Sequence, residues 1–572
     1  MKSRIVIGCG SAMLLLGLAA PAWAQAPQAP VNAGSAARGV DQTRQNAPVT
    51  NPQPVPVLPQ VTEPQFTLPG NQTLHVNSIV VDGPMLVDAA ALRAILAPYE
   101  GRDLGIGQIH EAADKVSNLY RAAGYLVATA YVPAQDARGG TLHFTVIPGK
   151  YGDIKIENNS LVNTDRLQST VASATAGSPY ITSDTLERAM LLISDLPGAG
   201  TPRSVMSAGR QPETSDFLFQ VPEARRIDGY ALADNYGSPF TGRVRFSGGV
   251  NLNSPLGFGD RLSVSGLVTH DTNLWNGRVA YSFPIGSDGL RAEIGAYRTS
   301  YDLGGIFRAV HATGIADAVT ATLSYPLVRQ IAETITISGN YTHSILNDKV
   351  LGTSISNRSS DTGTVGVTAV TAGAIWDLPL TTNSALSITE GDLVFANSTQ
   401  NAFNVAGPNT AGDFTKINGS FDGTMALFDR LSFEFNLRAQ VALTGNLDPY
   451  QQLGLTGAYG IRSYDEDLNG DSGYIATPTL KYALPDFMAY RHSVGLFTDT
   501  GGVWLSHPGF TTVQRPYTQL NDIGVGYYGT YEYQPGRIIL LKAVLVHSYG
   551  GTNGAQFFNR GTRALLQAGL TF

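Results

Sequence analysis

The sequence is poor in charge: Asp, Glu, Lys and Arg supply 15% of its 572 residues, well under the roughly one quarter of an ordinary soluble chain. It has one cysteine, Cys9, so a disulfide framework and a thiolate-ligated metal centre are both excluded. After the first 24 residues there is no run of about 18 apolar side chains, which excludes a membrane-spanning helix from that part of the chain. The formal charge of −7 argues against nucleic acid as a partner, because phosphate binding needs a basic surface. The histidines show no metal-ligand spacing, and there is no phosphate loop or nucleophile elbow. No cofactor, no metal and no enzymatic activity are expected.

Glycine, at 63 residues, and tyrosine, at 25, are plentiful. With near-neutral mean hydropathy they suit a β-rich protein that has one surface in lipid. The chain opens on a short cationic stretch, MKSR, then the apolar IVIGCGSAMLLLGLAA and the small-x-small site Ala22-Trp23-Ala24. This pattern predicts a Sec-type signal peptide over 1–24; the rival, a lipoprotein site at Cys9, conflicts with the apolar core running on past that cysteine. Residues 25–70 are rich in Pro, Ala and Gln, a largely extended lead that can plug a pore. Within it SAARGVDQTRQ has the makings of a short polar helix, marginal unless packed.

From 71 to 149 the rhythm becomes β-α-α-β-β. Ile109, Ala112, Val116, Leu119 and Tyr120 recur at helical spacing ahead of a capping Gly124, and TLHFTVIPG alternates Leu142, Phe144 and Val146. Residues 150–224 repeat the order. Their second helix is expected to open at Asp184, three residues before Glu187, and to stop at Pro197-Gly198. Two small α+β modules in tandem are predicted, suited to binding.

From 225 to 572 the helical period disappears. LSFEFNLRAQVAL sets Leu431, Phe433, Phe435, Leu437, Ala439, Val441 and Leu443 on one face against polar residues on the other, and GRVAYSFPI and AVTATLSYPL behave alike. So long a run of strands without helices fits a transmembrane β-barrel of about 16 antiparallel strands, with the polar face toward a wet lumen. Backbone groups at membrane depth must all be paired, so the sheet has to close. RALLQAGLTF forms the last strand, and Phe572 is expected to act as an assembly signal. Trp275, Trp376 and Trp504 are candidates for interfacial girdles.

Two β-α-α-β-β modules ahead of a barrel resemble the polypeptide-transport-associated (POTRA) domains of outer-membrane translocases. The closer resemblance is to two-partner secretion transporters, the TpsB family, which exports haemolysins and filamentous adhesins. LYRAAGYLVATAYVPAQ, LLISDLPGAG with GRQPETSDFLFQV, LADNYGSPFTGRVRFSGGVNLNSPLGFGDRLSV, YGIRSY and GLFTDTGGVW carry it, in that order. The resemblance implies a loop folded back into the lumen, with Arg462 meeting Asp499 and with Tyr464, Phe497 and Gly501 completing the two motifs. Ser463 stands where the family usually has glycine, leaving the local backbone open. It also implies an outer-membrane location with the POTRA domains in the periplasm. The partners implied are a secreted β-rich exoprotein of haemolysin or adhesin type, outer-membrane lipid, and the outer-membrane assembly machinery during biogenesis. The alternatives are a barrel-assembly factor and a passive channel with periplasmic docking domains.

The acids after Arg462 also match the start of a calcium loop, at Asp465, Asp467, Asn469, Gly470 and Asp471. Its twelfth position is Ala476, where a bidentate Glu is required. They are expected to form the solvated side of the arginine loop.

Overall fold

The structure is a computed structural model that describes residues 31–50, 54–58, 73–137, 139–465, 467–504, 517–552 and 561–572. The expected signal peptide and much of the lead lie outside the described residues. Helix α1 (Ala33–Gln45) comes first, closed at its start by Asn32 and Ser35, which bond reciprocally across the first turn.

The first module comprises β1 (Thr73–Val76), β2 (Ser78–Asp82), α2 (Ala89–Leu96), β3 (Arg102–Gly105), α3 (Ile106–Ala122), β4 (Thr129–Tyr131) and β5 (Thr141–Ile147). The first strand of the β-α-α-β-β rhythm splits in two at Asn77, because the amides of Asn77 and Ser78 both turn to the carbonyl of Gly140. β1 then pairs with β3, while β5 sits between parallel β2 and antiparallel β4. The helices close over Leu104, Val116, Tyr120 and Phe144, all essentially inaccessible to solvent.

The second module comprises β6 (Lys150–Asn158), α4 (Thr164–Thr175), α5 (Ser183–Ser194), β7 (Arg203–Ala208) and β8 (Thr214–Val221). Its sheet order is β6-β8-β7, with a core built on Leu167, Leu186, Met190, Ile193, Phe217 and Phe219. α5 starts earlier than expected: Thr182, not Asp184, is the cap, its hydroxyl accepting from the amide of Thr185 at 3.2 Å. α5 docks on the barrel's mouth, Arg188 donating to the carbonyls of Asp288 in a turn and of Pro326 in the strand Thr313–Arg329, and Asp195 pairing with Arg329 at 2.7 Å.

Sixteen antiparallel strands form a closed barrel, from β9 (Ile227–Asp234) to the last strand, Thr562–Thr571. Period-two sequence gives the wall two unlike faces. Val319, Leu323, Leu327, Val441, Leu443 and Leu566 stand exposed on the outside, while Lys416, Gln440 and Asp499 on the same or neighbouring strands point into the bore. Closure is narrow. β9 and the last strand share five register pairs, from Tyr230–Thr571 to Asp234–Gln567, extended by a reciprocal backbone pair between Gly229 and Phe572. Among the described residues no helix is long and apolar enough to cross a membrane.

Candidate functional site

The bore is filled by two pieces of chain. The first is α1, whose short side chains Ala33, Gly34, Ala36 and Ala37 let it lie close against the wall. A Cβ on Gly34 would fall 2.7 Å from Asp448 Oδ1 and 2.8 Å from the Tyr450 amide, so only glycine fits there. The first helical amide, at Ala33, donates to Asp348 Oδ1 at 2.7 Å. Arg358 joins that carboxylate to Asp448, at 2.8 and 2.5 Å, beneath the helix start. Further along, Thr43 accepts from Arg245, itself paired with Asp234 at 2.8 Å. The helix is polar, as expected from its sequence, and the tertiary contacts supply the stability that its length does not.

The second piece is the loop between Leu453–Gly454 and Asn469–Gly470, two short strands that pair at its base. Gly457 takes φ +98° and turns the chain, so that Leu455, Ile461 and Tyr464 bury together against Ile475, Val503 and Leu520 of the wall. That packing presents Arg462 to the strand Tyr490–Trp504, whose alternation turns Phe497 and Asp499 into the bore. Arg462 forms an ion pair with Asp499, Nη2 donating to Oδ1 and Nε lying beside Oδ2, both at 3.2 Å. The guanidinium lies over the Phe497 ring, 4.0 Å from its centroid. Asp499 has no solvent exposure, and Thr477 donates to its Oδ1 at 2.6 Å.

Two glycines make this geometry possible. A Cβ on Gly501 would sit 2.7 Å from the Tyr474 carbonyl and 2.8 Å from Leu455, pushing the loop off the wall. One on Gly524 would enter the Phe497 ring at 2.3 Å. Thus Arg462, Tyr464, Phe497, Asp499 and Gly501, singled out from the sequence, come together in one place.

Ser463 replaces the glycine of the usual motif without strain, since it is absent from the positive-φ residues. Its amide donates to Asp522 Oδ2 at 2.8 Å. Asp522, fully buried and the direct cross-strand neighbour of Asp499, is a site residue that sequence reasoning missed. Its signal was a lone carboxylate on the inward face of NDIGVG. Arg563 of the last strand, also missed, donates to the carbonyls of Arg462 and Tyr464, each at 3.3 Å.

The acids that follow Arg462 are not the solvated side of the loop. Asp467 pairs with Arg38 of α1 at 2.9 Å, Asn469 accepts from the same guanidinium at 2.6 Å, and Asp465 pairs with Arg243 at 2.6 Å. Asp471 is buried and accepts from Gln452 at 2.8 Å. These are structural contacts between loop, helix and wall, and among the described residues no group of carboxylates gathers around one point.

A closed barrel with an apolar outer face, small α+β modules at one mouth, and a bore filled by a helix and a loop held through side-chain contacts fits a transporter of the outer membrane. The description "Haemolysin secretion/activation protein ShlB/FhaC/HecB" matches residues 213–513, more than half of the chain, which belongs to that family. A "POTRA domain, ShlB-type" matches residues 74–149. Among curated relatives, the heme/hemopexin transporter protein HuxB of Haemophilus influenzae is 27% identical over 418 residues, 72% of each chain. The outer membrane transporter CdiB of Escherichia coli is 29% identical over 253 residues, 43% of this chain and 40% of the relative. The solved structure of CdiB from Escherichia coli superposes with a TM-score of 0.73 at 20% identity, covering 95% of this chain and all of that one. CdiB from Acinetobacter baumannii gives 0.63 at 14%, covering 94% and 97%. Both share the fold. The chain is an outer-membrane transporter that secretes an exoprotein, with its POTRA region in the periplasm.

Proposed function

We propose that the two modules catch an unfolded, β-rich exoprotein of haemolysin or adhesin type by adding its strands to their exposed sheet edges. Backbone hydrogen bonds supply affinity there, and side-chain pockets on alternate positions supply selectivity. The exoprotein then threads the barrel, and its folding beyond the membrane draws the rest through, since no nucleotide motif is present. No catalytic step is assigned to the chain. Outer-membrane lipid covers the outward apolar belt, and outer-membrane assembly machinery inserts the barrel during biogenesis.

The observation that carries this reading is how the bore is blocked. α1 and the arginine loop are held by side-chain pairs and not by strand ladders, so both can leave while the wall stays intact. Arg462 with Asp499 is the lock: it fastens the loop to the wall, and Tyr464, Phe497 and Gly501 shape its seat. The test is secretion by cells that carry Arg462→Ala. The barrel should assemble at normal levels while the cognate exoprotein accumulates inside, and undiminished export would refute the lock.

A further inference from the structure

Far from the modules, the outer face of the barrel carries a hollow of about 250 Å³ whose lining includes Trp275, Ser300, Asp302, Thr313, Asn347 and Lys349. These residues belong to the strands Leu274–Pro284, Arg291–Asp302, Thr313–Arg329 and Glu333–Val350. They stand at the strand ends opposite to Asp288 and Arg329, where α5 docks. Direct cross-strand partners share one face of a sheet. The register joins Trp275, Ser300, Ile315 and Asn347 in one row, and Asp302, Thr313 and Lys349 in the next. Trp275, 44% exposed, keeps the parity of Val279 on the outside. The intervening Tyr301 and Asp348 face the other way, Tyr301 donating to the carboxylate that also receives the first amide of α1.

The depth of the hollow follows from its neighbours. One row toward the modules, Arg298 and Asp317 pair across strands through contacts of 2.5 and 2.8 Å, with side chains 56% and 37% exposed. Lipid tails would strip the water from such a pair, so this row belongs among headgroups. The apolar belt begins one row further on, at Val279, Ala296 and Val319. The end of an outer-membrane barrel away from the periplasm meets the outer leaflet, which is glycolipid with a phosphorylated saccharide as its headgroup.

The hollow holds the groups that such a headgroup needs. Trp275 offers a flat apolar face to the C–H side of a sugar ring. Asp302 and Lys349 flank Thr313 on its two sides, two strand spacings or about 10 Å apart. Among the described residues neither side chain has a hydrogen-bond or ion-pair partner. Asn347 accepts from Ser354 at 2.8 Å through Oδ1, which leaves its Nδ2 to donate. We infer that this hollow seats one outer-leaflet glycolipid by its phosphorylated sugar. The ring stacks on Trp275, sugar hydroxyls donate to Asp302 and accept from Asn347, and the phosphate pairs with Lys349. The acyl chains then run down the belt over Val279 and Val319. A headgroup held there fixes this flank of the barrel at one height in the leaflet.

The experiment follows lipid binding to the purified full chain in detergent micelles by native mass spectrometry. The probes are lipopolysaccharide truncated to its inner core, the same glycolipid with its phosphates removed, and phosphatidylglycerol, which has a phosphate but no sugar. One copy of the intact glycolipid should bind. Removing its phosphates should weaken it about tenfold, as should Lys349→Ala, the loss expected for one charge-assisted hydrogen bond. Trp275→Leu should weaken it several-fold, while Trp376→Leu, in the turn after Ile375 at the end that carries the modules, should leave it unchanged. Phosphatidylglycerol should bind the unaltered protein more weakly than the intact glycolipid does. Equal affinity for the intact and dephosphorylated glycolipids, or for phosphatidylglycerol, would overturn the proposal. So would unaltered binding by Lys349→Ala or Trp275→Leu, or an equal loss in Trp376→Leu. The three lipids are compared on the unaltered protein, so they decide the matter even where a variant fails to assemble. None of these readings involves export, so failure here leaves the transport reading standing.

Discussion

Arg38 of α1 and Asp467 of the arginine loop meet at 2.9 Å, so the two bodies that fill the bore are tied to each other as well as to the wall. Arg38 also donates to Asn469 and to the carbonyl of Pro449, bringing two stretches of chain, around 449 and 467–469, under one guanidinium. The helix and the lock are therefore expected to loosen together.

Reversing the charge at Arg38 tests that linkage. Arg38→Glu should place two carboxylates together in a confined space and release the helix, raising the conductance of the purified protein in planar bilayers several-fold. Adding Asp467→Arg restores the attraction with the signs exchanged. It should bring conductance at least partway back toward that of the unaltered protein.

Arg462→Ala leaves Asp499 buried without its cation, at a cost of about 3–5 kcal/mol. The loop should become cleavable by protease added to intact outer membranes, while the heat-resistant migration of the folded barrel on gels is retained. Arg462→Lys keeps the charge but loses the second nitrogen beside the carboxylate and the flat stacking on Phe497, so intermediate cleavage is expected.

Asp522 is needed as an acceptor for the Ser463 amide, and Asn supplies one. Asp522→Asn should leave the loop protected, whereas Asp522→Ala strands a buried amide at a cost of about 1–3 kcal/mol and should expose the loop. The same protease assay separates the two.

Gly34→Val tests the close approach of α1 to the segment that follows the strand Leu431–Thr444, where Asp448 and Tyr450 already lie within 3 Å of any added Cβ. The helix should lose its seat and open the channel. Gly39, beside which a Cβ meets nothing within 4 Å, gives the matched control: Gly39→Ala should leave conductance unchanged.

The barrel was legible in the sequence because period two survives in any strand that separates oil from water, as in Leu431 through Leu443. The modules were legible because Ile109, Ala112, Val116 and Tyr120 keep helical spacing over one shared core. Local punctuation was less so. Whether Thr182 or Asp184 caps α5 depends on one hydroxyl orientation, and Asn77 breaks its strand for a carbonyl 63 residues away, that of Gly140. The lock pair came from motif resemblance, since nothing local to Arg462 announces Asp499. Asp522, Arg563 and Arg38 stayed hidden for the same reason. Each acts on the loop from a distant strand or helix, and its role exists only once the barrel has closed. The acids at 465–471 misled because a run of charges usually faces solvent, and here their partners come from elsewhere in the chain.

The strands are unequal in a way that bears on where secretion ends. About ten residues suffice to cross the hydrocarbon layer, yet the strand Thr353–Ile375 has 23 residues and its neighbour Glu333–Val350 has 18. Ile337, Val365 and Val367 lie on their outward face toward the end that carries the modules, while further from it the outward positions are mixed, with Asp361, Ser359 and Asn357 interspersed with Ile345 and Ile355. On this side the wall stands above the lipid like a parapet. A polypeptide leaving the cell is thereby sheltered from the headgroups on one flank, and its first turns can form in water before they meet the cell surface.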